Sequence, residues 1–234
     1  MEIESMLVFQ QMRCAMKEYL PVLKRCQLFA KIEPEALVHM LSCLGAQIVQ
    51  IPKGGYILRQ GEQAHSFGIL LYGRAQIIKG DIEGSHTIVS SLEETELFAE
   101  AMVCAALDTL PVSVVACEAC TVMMLRHERI MKACARGCIA HSQFIAGLLR
   151  IISQKNLILN QKMEIVMRRT TQEKLMTYLQ MQSVRAGTRR FVIPYDRQGL
   201  ADFLGVERSA MSAELSKMRK AGLIDFHKNE FEIL

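Results

Sequence analysis

The spacing of apolar residues divides the chain into helical and strand-rich parts. Residues 5–30 are rich in Leu, Met, Lys and Gln and lack Gly, which favours helices, and a further helix is predicted from Glu33 to Leu44. From Ala46 onward, short β-branched runs alternate with turns that contain Gly. The predicted strands are Gln47 to Ile51, Tyr56 to Leu58, Phe67 to Leu71, Ala75 to Lys79, Thr87 to Ser91, Ser113 to Ala116 and Thr121 to Leu125. Because most of them have no helical pattern between them, they indicate an antiparallel barrel or sandwich rather than a βαβ fold.

A long helix is predicted from about Ile139 to Met167, since no Pro interrupts the helical spacing there. Seven positions follow alternating steps of four and three, which is the a/d pattern of a coiled coil. They are Ile145, Leu149, Ile152, Asn156, Leu159, Met163 and Val166. A second apolar stripe contains Phe144, Leu148, Ile151, Ile158 and Ile165. If one stripe packs on the helix's own domain, the other needs a partner, so the a/d positions are predicted to form a parallel dimer seam. Burial of the whole helix within a monomer is the alternative.

The C-terminal part of the chain carries the pattern of a winged helix-turn-helix. A helix is predicted from about Thr171 to Gln182, followed by a short strand at Phe191 to Ile193. Two further helices are predicted on either side of Gly205, where the turn needs a positive φ. Their inward positions are Leu200, Ala201, Leu204, Met211, Leu215 and Met218. The tail predicts a hairpin formed by residues 223–226 and 229–233, which would be the wing.

The distribution of charge supports a nucleic-acid partner for this end. Residues 1–164 contain 16 basic and 16 acidic residues, whereas residues 165–234 contain 12 basic and 8 acidic ones. The whole net charge of +4 therefore lies in the last 70 residues, as expected for binding to double-stranded DNA. In a winged helix the start of the second helix enters the major groove, where Arg can bind guanine through two hydrogen bonds. The candidate DNA contacts are Arg197, Gln198, Arg208, Ser209, Ser212, Lys217 and Lys228. For the later charges, such as Lys217, a solvated helix face is the alternative.

Composition narrows the class of protein further. The longest apolar run, Val112 to Leu125, contains Glu118 and is too short to cross a bilayer. Glu2 and Glu4 stand where a signal peptide would carry basic residues. A soluble, cytoplasmic protein that does not bind membranes is therefore expected. Its eight cysteines are expected to be reduced, because a chain of 234 residues does not need disulfides to stabilise its core.

The sequence lacks the common catalytic and metal-binding motifs. No Gly-rich phosphate loop, GxSxG motif or HExxH motif occurs, so no enzymatic activity, metal or cofactor is predicted. Cys117 and Cys120 are spaced CxxC, but they lie on or beside predicted strands, where an odd separation points side chains to opposite faces. Cys134 and Cys138 share a helix face and have only each other as ligands. Ordinary buried thiols are the preferred interpretation, and a redox switch formed by cysteine pairs is an alternative.

Four segments of the chain resemble the Crp/Fnr family of bacterial transcription regulators. They are IPKGGYILRQGEQAHSFGILLYGRAQIIKG at 51–80, ELFAEAMVCA at 96–105, the long helix, and RQGLADFLGVERSAMSAELSKM at 197–218. The resemblance implies an α+β chain with an antiparallel, jelly-roll-like β-roll effector domain at 1–138, including N-terminal helices. It also implies a dimerisation helix at 139–168 and a winged helix-turn-helix domain at 169–234. Such a protein acts as a homodimer on an inverted-repeat operator, and it contacts RNA polymerase if it is an activator.

Departures from the family pattern bear on the effector. Cyclic-nucleotide binders in this family carry Gly-Glu and, some ten residues later, Arg-Ser, which bind the ribose and the cyclic phosphate. Here Ala99 precedes Glu100, and Leu110 and Pro111 occupy the Arg-Ser positions. The effector is therefore predicted not to be a cyclic nucleotide, with a cyclic-nucleotide-responsive regulator as the alternative. The resemblance places the effector pocket at Glu100, Leu107, Leu110, Leu159 and Asn160. The apolar residues suit an uncharged effector or a collapsed pocket.

The predicted recognition helix also departs from its relatives. Arg208 matches the first Arg of the family pattern, whereas Ser209 and Ala213 stand where many relatives have Glu and a second Arg. The operator sequence of the best-known relatives is therefore not expected for this protein.

Overall fold

The computed structural model describes residues 16–81, 86–131 and 138–234. The chain divides into two compact units, residues 1–153 and residues 154–234. The helices predicted before residue 16 and the predicted contribution of Cys134 lie outside the described residues. Within those residues, no helix has the length and apolar character needed to span a bilayer.

The first unit contains short helices and two antiparallel sheets. Its helices are α1 (Leu20–Arg25), α2 (Pro34–Cys43), α3 (Glu100–Cys104) and α4 (His127–Met131). Its strands are β1 (Gln47–Ile51), β2 (Tyr56–Leu58), β3 (Ser66–Tyr72), β4 (Ala75–Gly80), β5 (His86–Leu92), β6 (Leu97–Phe98), β7 (Ser113–Ala116) and β8 (Cys120–Arg126). The strand orders are β1-β8-β3-β6 and β2-β7-β4-β5, and every pairing is antiparallel. The predicted antiparallel β architecture is therefore confirmed.

One hydrophobic core holds the two sheets and the neighbouring helices of this unit together. Phe67 on β3, Val114 on β7 and Leu41 on α2 are among its fully buried members. Gly68 is needed on β3 because a Cβ atom there would lie 2.0 Å from Cζ of Phe98. The ring of Phe98 therefore packs directly on the backbone of the neighbouring strand, which fixes the short strand β6.

The long helix α5 (Ile139–Val166) contributes to both units and has the predicted extent to within one residue. Phe144 and Leu148 are buried in the first core, and the ring of Phe144 lies 6.0 Å from that of Phe29. Ile165 is buried in the core of the second unit. The predicted a/d positions behave differently, because most of them are exposed: Ile145 (44% exposed), Leu149 (65%), Leu159 (58%), Met163 (51%) and Val166 (41%).

The second unit is a bundle of three helices with a three-stranded sheet. Its elements after α5 are α6 (Thr171–Ala186), β9 (Arg190–Val192), α7 (Arg197–Leu204), α8 (Arg208–Lys220), β10 (Ile224–His227) and β11 (Glu230–Ile233). The sheet order is β10-β11-β9, and Phe226 pairs with Phe231 across the terminal hairpin. Leu200, Leu204, Met211, Leu215 and Met218 are buried in its core, as the sequence predicts.

Helix ends in this unit follow from local capping residues. A capping box of Thr170 and Glu173 starts α6, which runs four residues past the predicted end because no helix breaker occurs before Gly187. Asp196 caps α7 by accepting a hydrogen bond from the backbone N–H of Gly199 at 2.7 Å. Gly205 ends α7 with φ +62°, which confirms the left-handed turn residue predicted from the sequence.

Candidate nucleic-acid interface

The start of α8 is organised by the carboxylate of Glu207. Its oxygens accept hydrogen bonds from the backbone N–H groups of Ser209 at 2.8 Å and Ala210 at 2.7 Å, and from the hydroxyl of Ser209. The hydroxyl and then the two backbone donors lower the pKa of Glu207 below its ordinary value. The cap explains why α8 begins at Arg208 rather than at Val206. Sequence reasoning missed Glu207, although an acid directly before a predicted helix is a recognised signal of a helix start.

Arg208 is the exposed cation at the first position of α8. The backbone carbonyl of Arg208 accepts a hydrogen bond from the hydroxyl of Ser212 at 2.9 Å, and Ser216 repeats this contact to Ser212 one turn later at 3.0 Å. The two hydroxyls are therefore bonded to their own helix, whereas Arg208 is exposed at the helix start. Farther along, Nζ of Lys217 lies 3.3 Å from a carboxylate oxygen of Glu214.

The candidate contacts at the start of α7 have partners within the protein. Cζ of Arg197 lies 4.8 Å from the ring centre of Phe226 and 5.2 Å from that of Phe231. Burial lowers the pKa of the Arg197 guanidinium below its ordinary value. The side-chain amide of Gln198 donates to a carboxylate oxygen of Asp202 at 2.9 Å and is exposed.

The wing carries both signs of charge. Lys228 lies in the turn of the β10–β11 hairpin, where it is exposed and adopts φ +53°. Asp225 on β10 pairs with Nε of Arg219 at 2.8 Å, and Glu230 on β11 pairs with Nε of Arg190 at 2.8 Å. Asp225 and Glu230 therefore pair with two neighbouring arginines, and Lys228 lies at the tip of the wing.

In the first unit, Leu110 and Pro111, the two residues that the resemblance places at the Arg-Ser positions, differ in burial: Leu110 is buried and Pro111 is exposed. Leu110 is 2% exposed and belongs to the hydrophobic core of this unit. Its backbone is fixed by hydrogen bonds of 2.8 Å from the N–H of Gly61 to the carbonyl of Leu110 and from the N–H of Leu110 to the carbonyl of Glu62. A buried alkyl side chain thus occupies the place where a binder of anionic phosphate needs a guanidinium.

Glu100 is buried at the start of α3, with only 3% of it exposed. Ala99, which precedes it, adopts a left-handed conformation with φ +63° and ψ 0°. The left-handed conformation costs roughly 1–2 kcal/mol for residues other than Gly, Asn and Asp. The backbone therefore keeps the turn for which the family uses Gly, although the side chain has changed.

A cavity of about 420 Å³ lies in the first unit, beside the C-terminal end of α3. Leu107 and Val103 line it together with the polar residues Gln63, His65, Asp108 and Glu128. None of the described residues that line it is Lys or Arg, whereas two of them, His65 and His127, are histidines. Of the five predicted effector residues, only Leu107 lines this cavity.

The two predicted effector residues on the long helix lie in the second unit. Leu159 is 58% exposed, and Asn160 is also exposed. The amide of Asn160 donates to the side-chain oxygen of Asn156 at 2.9 Å, so these two polar side chains form a pair on the helix surface.

The predicted burial of the thiols holds for only some of the described cysteines: Cys26 and Cys120 are buried, Cys117 and Cys138 are half-buried, and Cys43 and Cys104 are exposed. Cys120 is buried, and its Sγ donates to the carbonyl of Arg74 at 3.2 Å. Burial raises the pKa of this thiol, which lowers the fraction of reactive thiolate. Among residues 16–81, 86–131 and 138–234, no group of three or more His, Cys, Asp or Glu side chains could hold a metal ion.

Two family models match the chain. The model of the cyclic nucleotide-binding domain matches residues 48–136, and that of the Crp-like helix-turn-helix domain matches residues 173–234. The two matches coincide with the β-rich unit and with the helices and wing described above. No curated protein sequence matches the chain.

Solved structures with a similar fold include several bacterial regulators. The c-di-GMP responsive global regulator CLP of Xanthomonas campestris is 15% identical, with a TM-score of 0.51 and coverage of 86% of this chain and 99% of that one. The sensor domain of DNR from Pseudomonas aeruginosa is 22% identical, with a TM-score of 0.50 and coverage of 66% and 95%. The catabolite activator protein of Thermus thermophilus is 21% identical, with a TM-score of 0.46 and coverage of 89% and 93%.

Proposed function

Because the chain belongs to the Crp/Fnr family of transcription regulators, we propose that it is a homodimer that binds an inverted-repeat operator and responds to an effector other than a cyclic nucleotide. It carries an effector-domain fold and a DNA-binding helix-turn-helix domain. If it activates transcription, RNA polymerase is its further partner.

The exposed position of Arg208 is the observation that carries DNA recognition. The residue stands at the first position of a capped helix that follows the turn of the helix-turn-helix. In this geometry the first turn of the second helix meets the base edges, and Arg binds O6 and N7 of guanine. Two such helices in a dimer lie about 34 Å apart, which is one turn of DNA, so the operator is an inverted repeat.

The exposed a/d positions of α5 support the homodimer. Leu149, Leu159 and Met163 are each more than half exposed in the protomer, at positions that a parallel coiled coil would bury. Asn156 occupies an a position in this pattern, where a single polar residue favours one register and two chains. These three a/d positions thus remain open for a partner, although Ile152 of the same stripe packs partly against the first core. In the second stripe Phe144 and Leu148 are buried, whereas Ile158 is exposed.

Leu110 is the basis for excluding a cyclic nucleotide. A bound phosphate is stabilised by charge-assisted hydrogen bonds, and none can come from a leucyl side chain. The CLP regulator of Xanthomonas campestris is described as responsive to c-di-GMP, which is also an anion. The cavity beside α3 is lined by Asp108 and Glu128, by two histidines and otherwise by uncharged residues, and the absence of Lys and Arg from its described lining favours neutral or cationic effectors over both types of anion.

Selection of binding sites from a random DNA pool tests DNA recognition. Wild type is expected to select an inverted repeat with half-sites about one helical turn apart. Arg208→Ala is expected to lose about 1–3 kcal/mol on that site and to relax the preference at one base pair of each half-site. Lys228→Ala, the matched control, should weaken specific and random DNA equally. Identical sequence preferences of wild type and Arg208→Ala would exclude Arg208 from base recognition.

Calorimetry with cyclic AMP and cyclic GMP tests the effector proposal separately. Neither nucleotide is expected to give saturable binding at millimolar concentration or to raise the melting temperature, because the cation of the phosphate cassette is missing. Saturable micromolar binding of either one would contradict the proposal and would show that another group supplies the positive charge.

A further inference from the structure

The guanidinium of Arg197 lies against the two phenylalanine rings of the wing. It lies over both Phe226 and Phe231, whose ring centres are 5.6 Å apart. Phe231 is buried and Phe226 is half-buried, so the guanidinium rests on a platform that is partly shielded from water. Arg groups bind aromatic faces through cation–π contact and stacking, which strengthen as the group loses water. The lowered pKa of Arg197 has burial as its cause, which agrees with this placement.

Arg219, at the other end of the helix-turn-helix, contacts the same hairpin. Cζ of Arg219, near the end of α8, lies 5.3 Å from the ring centre of Phe226, and its Nε lies 2.8 Å from Asp225. Phe226 therefore contacts one arginine at the start of α7 and another at the end of α8. Through this single ring, the hairpin is joined to both helices of the DNA-binding motif.

The turn of the hairpin follows the position of these strands. The side-chain amide of Asn229 donates to the carbonyl of Ile193 at 3.2 Å, and the N–H of Ile193 donates to the carbonyl of Asn229 at 2.9 Å. Lys228, the residue before Asn229, is held in a left-handed conformation at the tip. The position of Lys228 therefore depends on how the hairpin is held against the segment that contains Ile193 and, through Phe226 and Phe231, against Arg197 at the start of α7.

We propose that Arg197 is a positioning residue that seats the wing on α7, and that it acts on DNA through Lys228 rather than by contacting a phosphate itself. This inference rests on the proposed DNA-binding function and gives Arg197 a role different from the direct DNA contact that the sequence predicts. The contact with both rings commits the guanidinium to the wing, and the salt dependence described below separates this role from a direct phosphate contact. The cation that binds phosphate in this region is the ammonium of Lys228.

Salt dependence of DNA binding separates the two roles. A cation that contacts a phosphate contributes about 0.9 to the slope of log affinity against log salt concentration. Under the proposal, Arg197→Ala and Lys228→Ala each reduce the slope by about 0.9, and the double variant reduces it by the same amount, because both act through one contact. A reduction of about 1.8 in the double variant would mean independent phosphate contacts and would overturn the proposal.

A substitution that removes no charge sharpens this test. Phe226→Leu removes one of the two rings beneath Arg197 and leaves every cation in place. It is expected to lower the slope as Arg197→Ala does, whereas an unchanged slope in the folded variant would contradict the proposal. Arg208→Ala is the matched control, because it leaves the wing untouched: in that background Lys228→Ala should still reduce the slope by about 0.9.

Hydrogen exchange without DNA tests the seating of the wing independently of DNA binding. In Arg197→Ala, the amides of residues 224–233 are expected to exchange at least several-fold faster, with those of α6 and α8 unchanged. Arg208→Ala should leave the wing amides at their wild-type rates. Wild-type rates in Arg197→Ala would overturn the positioning role. A protein that binds no DNA would refute the proposed function, and this experiment would still decide whether Arg197 seats the wing.

Discussion

The hydroxyl of Ser209 donates its proton to the carboxylate of Glu207, two residues earlier at the start of the recognition helix. A serine hydroxyl has one proton and two acceptor lone pairs, so this bond leaves Ser209 with lone pairs only. Toward the major groove it then acts as an acceptor, and its base partners are the amino groups of cytosine N4 and adenine N6. The low pKa of Glu207 keeps the carboxylate ionised and able to accept this proton at neutral pH.

We therefore expect the half-site to contain cytosine or adenine at the base that Ser209 contacts. In Glu207→Ala the O–H of Ser209 is free to donate to a base, so the hydroxyl can meet donors and acceptors alike, and the preference at that base should weaken, as it should in Ser209→Ala. Glu207→Asp, which retains a carboxylate, is the control for the cap. Site selection with the four proteins measures the preference. A thymine or guanine at that base in wild type would contradict the assignment.

The cap at Glu207 should also make stability depend on pH. Its folded pKa lies below the unfolded value of about 4.3, so its contribution is present above that value and is lost as pH falls through the folded pKa. Urea unfolding of wild type and Glu207→Gln should therefore show a difference at pH 7 that shrinks on acidification below pH ~4. A difference that is the same at pH 7 and at pH 3 would show that ionisation of Glu207 does not stabilise the helix.

Leu149→Glu tests the dimer seam of α5 without disturbing the core of the protomer. Leu149 is 65% exposed in the protomer, so the substitution costs little there, but two carboxylates would meet across the proposed seam. We expect sedimentation to show a monomer for this variant. Gln154→Glu is the control, because Gln154 is exposed at an f position of the heptad and should leave the dimer intact. A dimeric Leu149→Glu would reject the seam.

The burial of Leu110 gives a prediction of stability. Leu110→Ala is expected to cost about 2–5 kcal/mol of unfolding free energy, as for other buried leucines in a packed core. Leu107→Ala, at a residue that is 43% exposed and lines the cavity, should cost distinctly less. Chemical denaturation of both variants measures the difference. Equal, small losses would indicate that Leu110 lines an open pocket rather than the core.

The spacing of apolar residues was sufficient to predict the helices and strands that bury one face in a core. Strands β1, β2 and β7 have the predicted ends, because each is a short run that contains β-branched residues and is bounded by turn residues. The long helix is also predicted to within one residue, since its apolar positions repeat over many turns. Strand β6 was missed because two residues carry no period, and Leu97 and Phe98 form a strand through pairing with Gly68 and Ile69.

Side-chain roles at the candidate site were less accessible to sequence reasoning. A basic excess and an Arg at the start of a helix indicate DNA binding, but neither distinguishes a free guanidinium from one that is already bound within the protein. Arg197 and Arg208 look alike in the sequence. They differ because the rings of Phe226 and Phe231, about 30 residues later in the chain, contact Arg197 rather than Arg208.

The sequence by itself determined the β-rich and helix-turn-helix parts and the left-handed turn at Gly205, because each depends on local periodicity or on residue type. Tertiary structure alone decided that Leu110 is core, that Arg197 is covered by the wing and that the hydroxyl of Ser209 is directed to Glu207. Burial and hydrogen-bond direction arise from contacts between segments or from the geometry of a folded turn, and a pattern of residue types does not contain them.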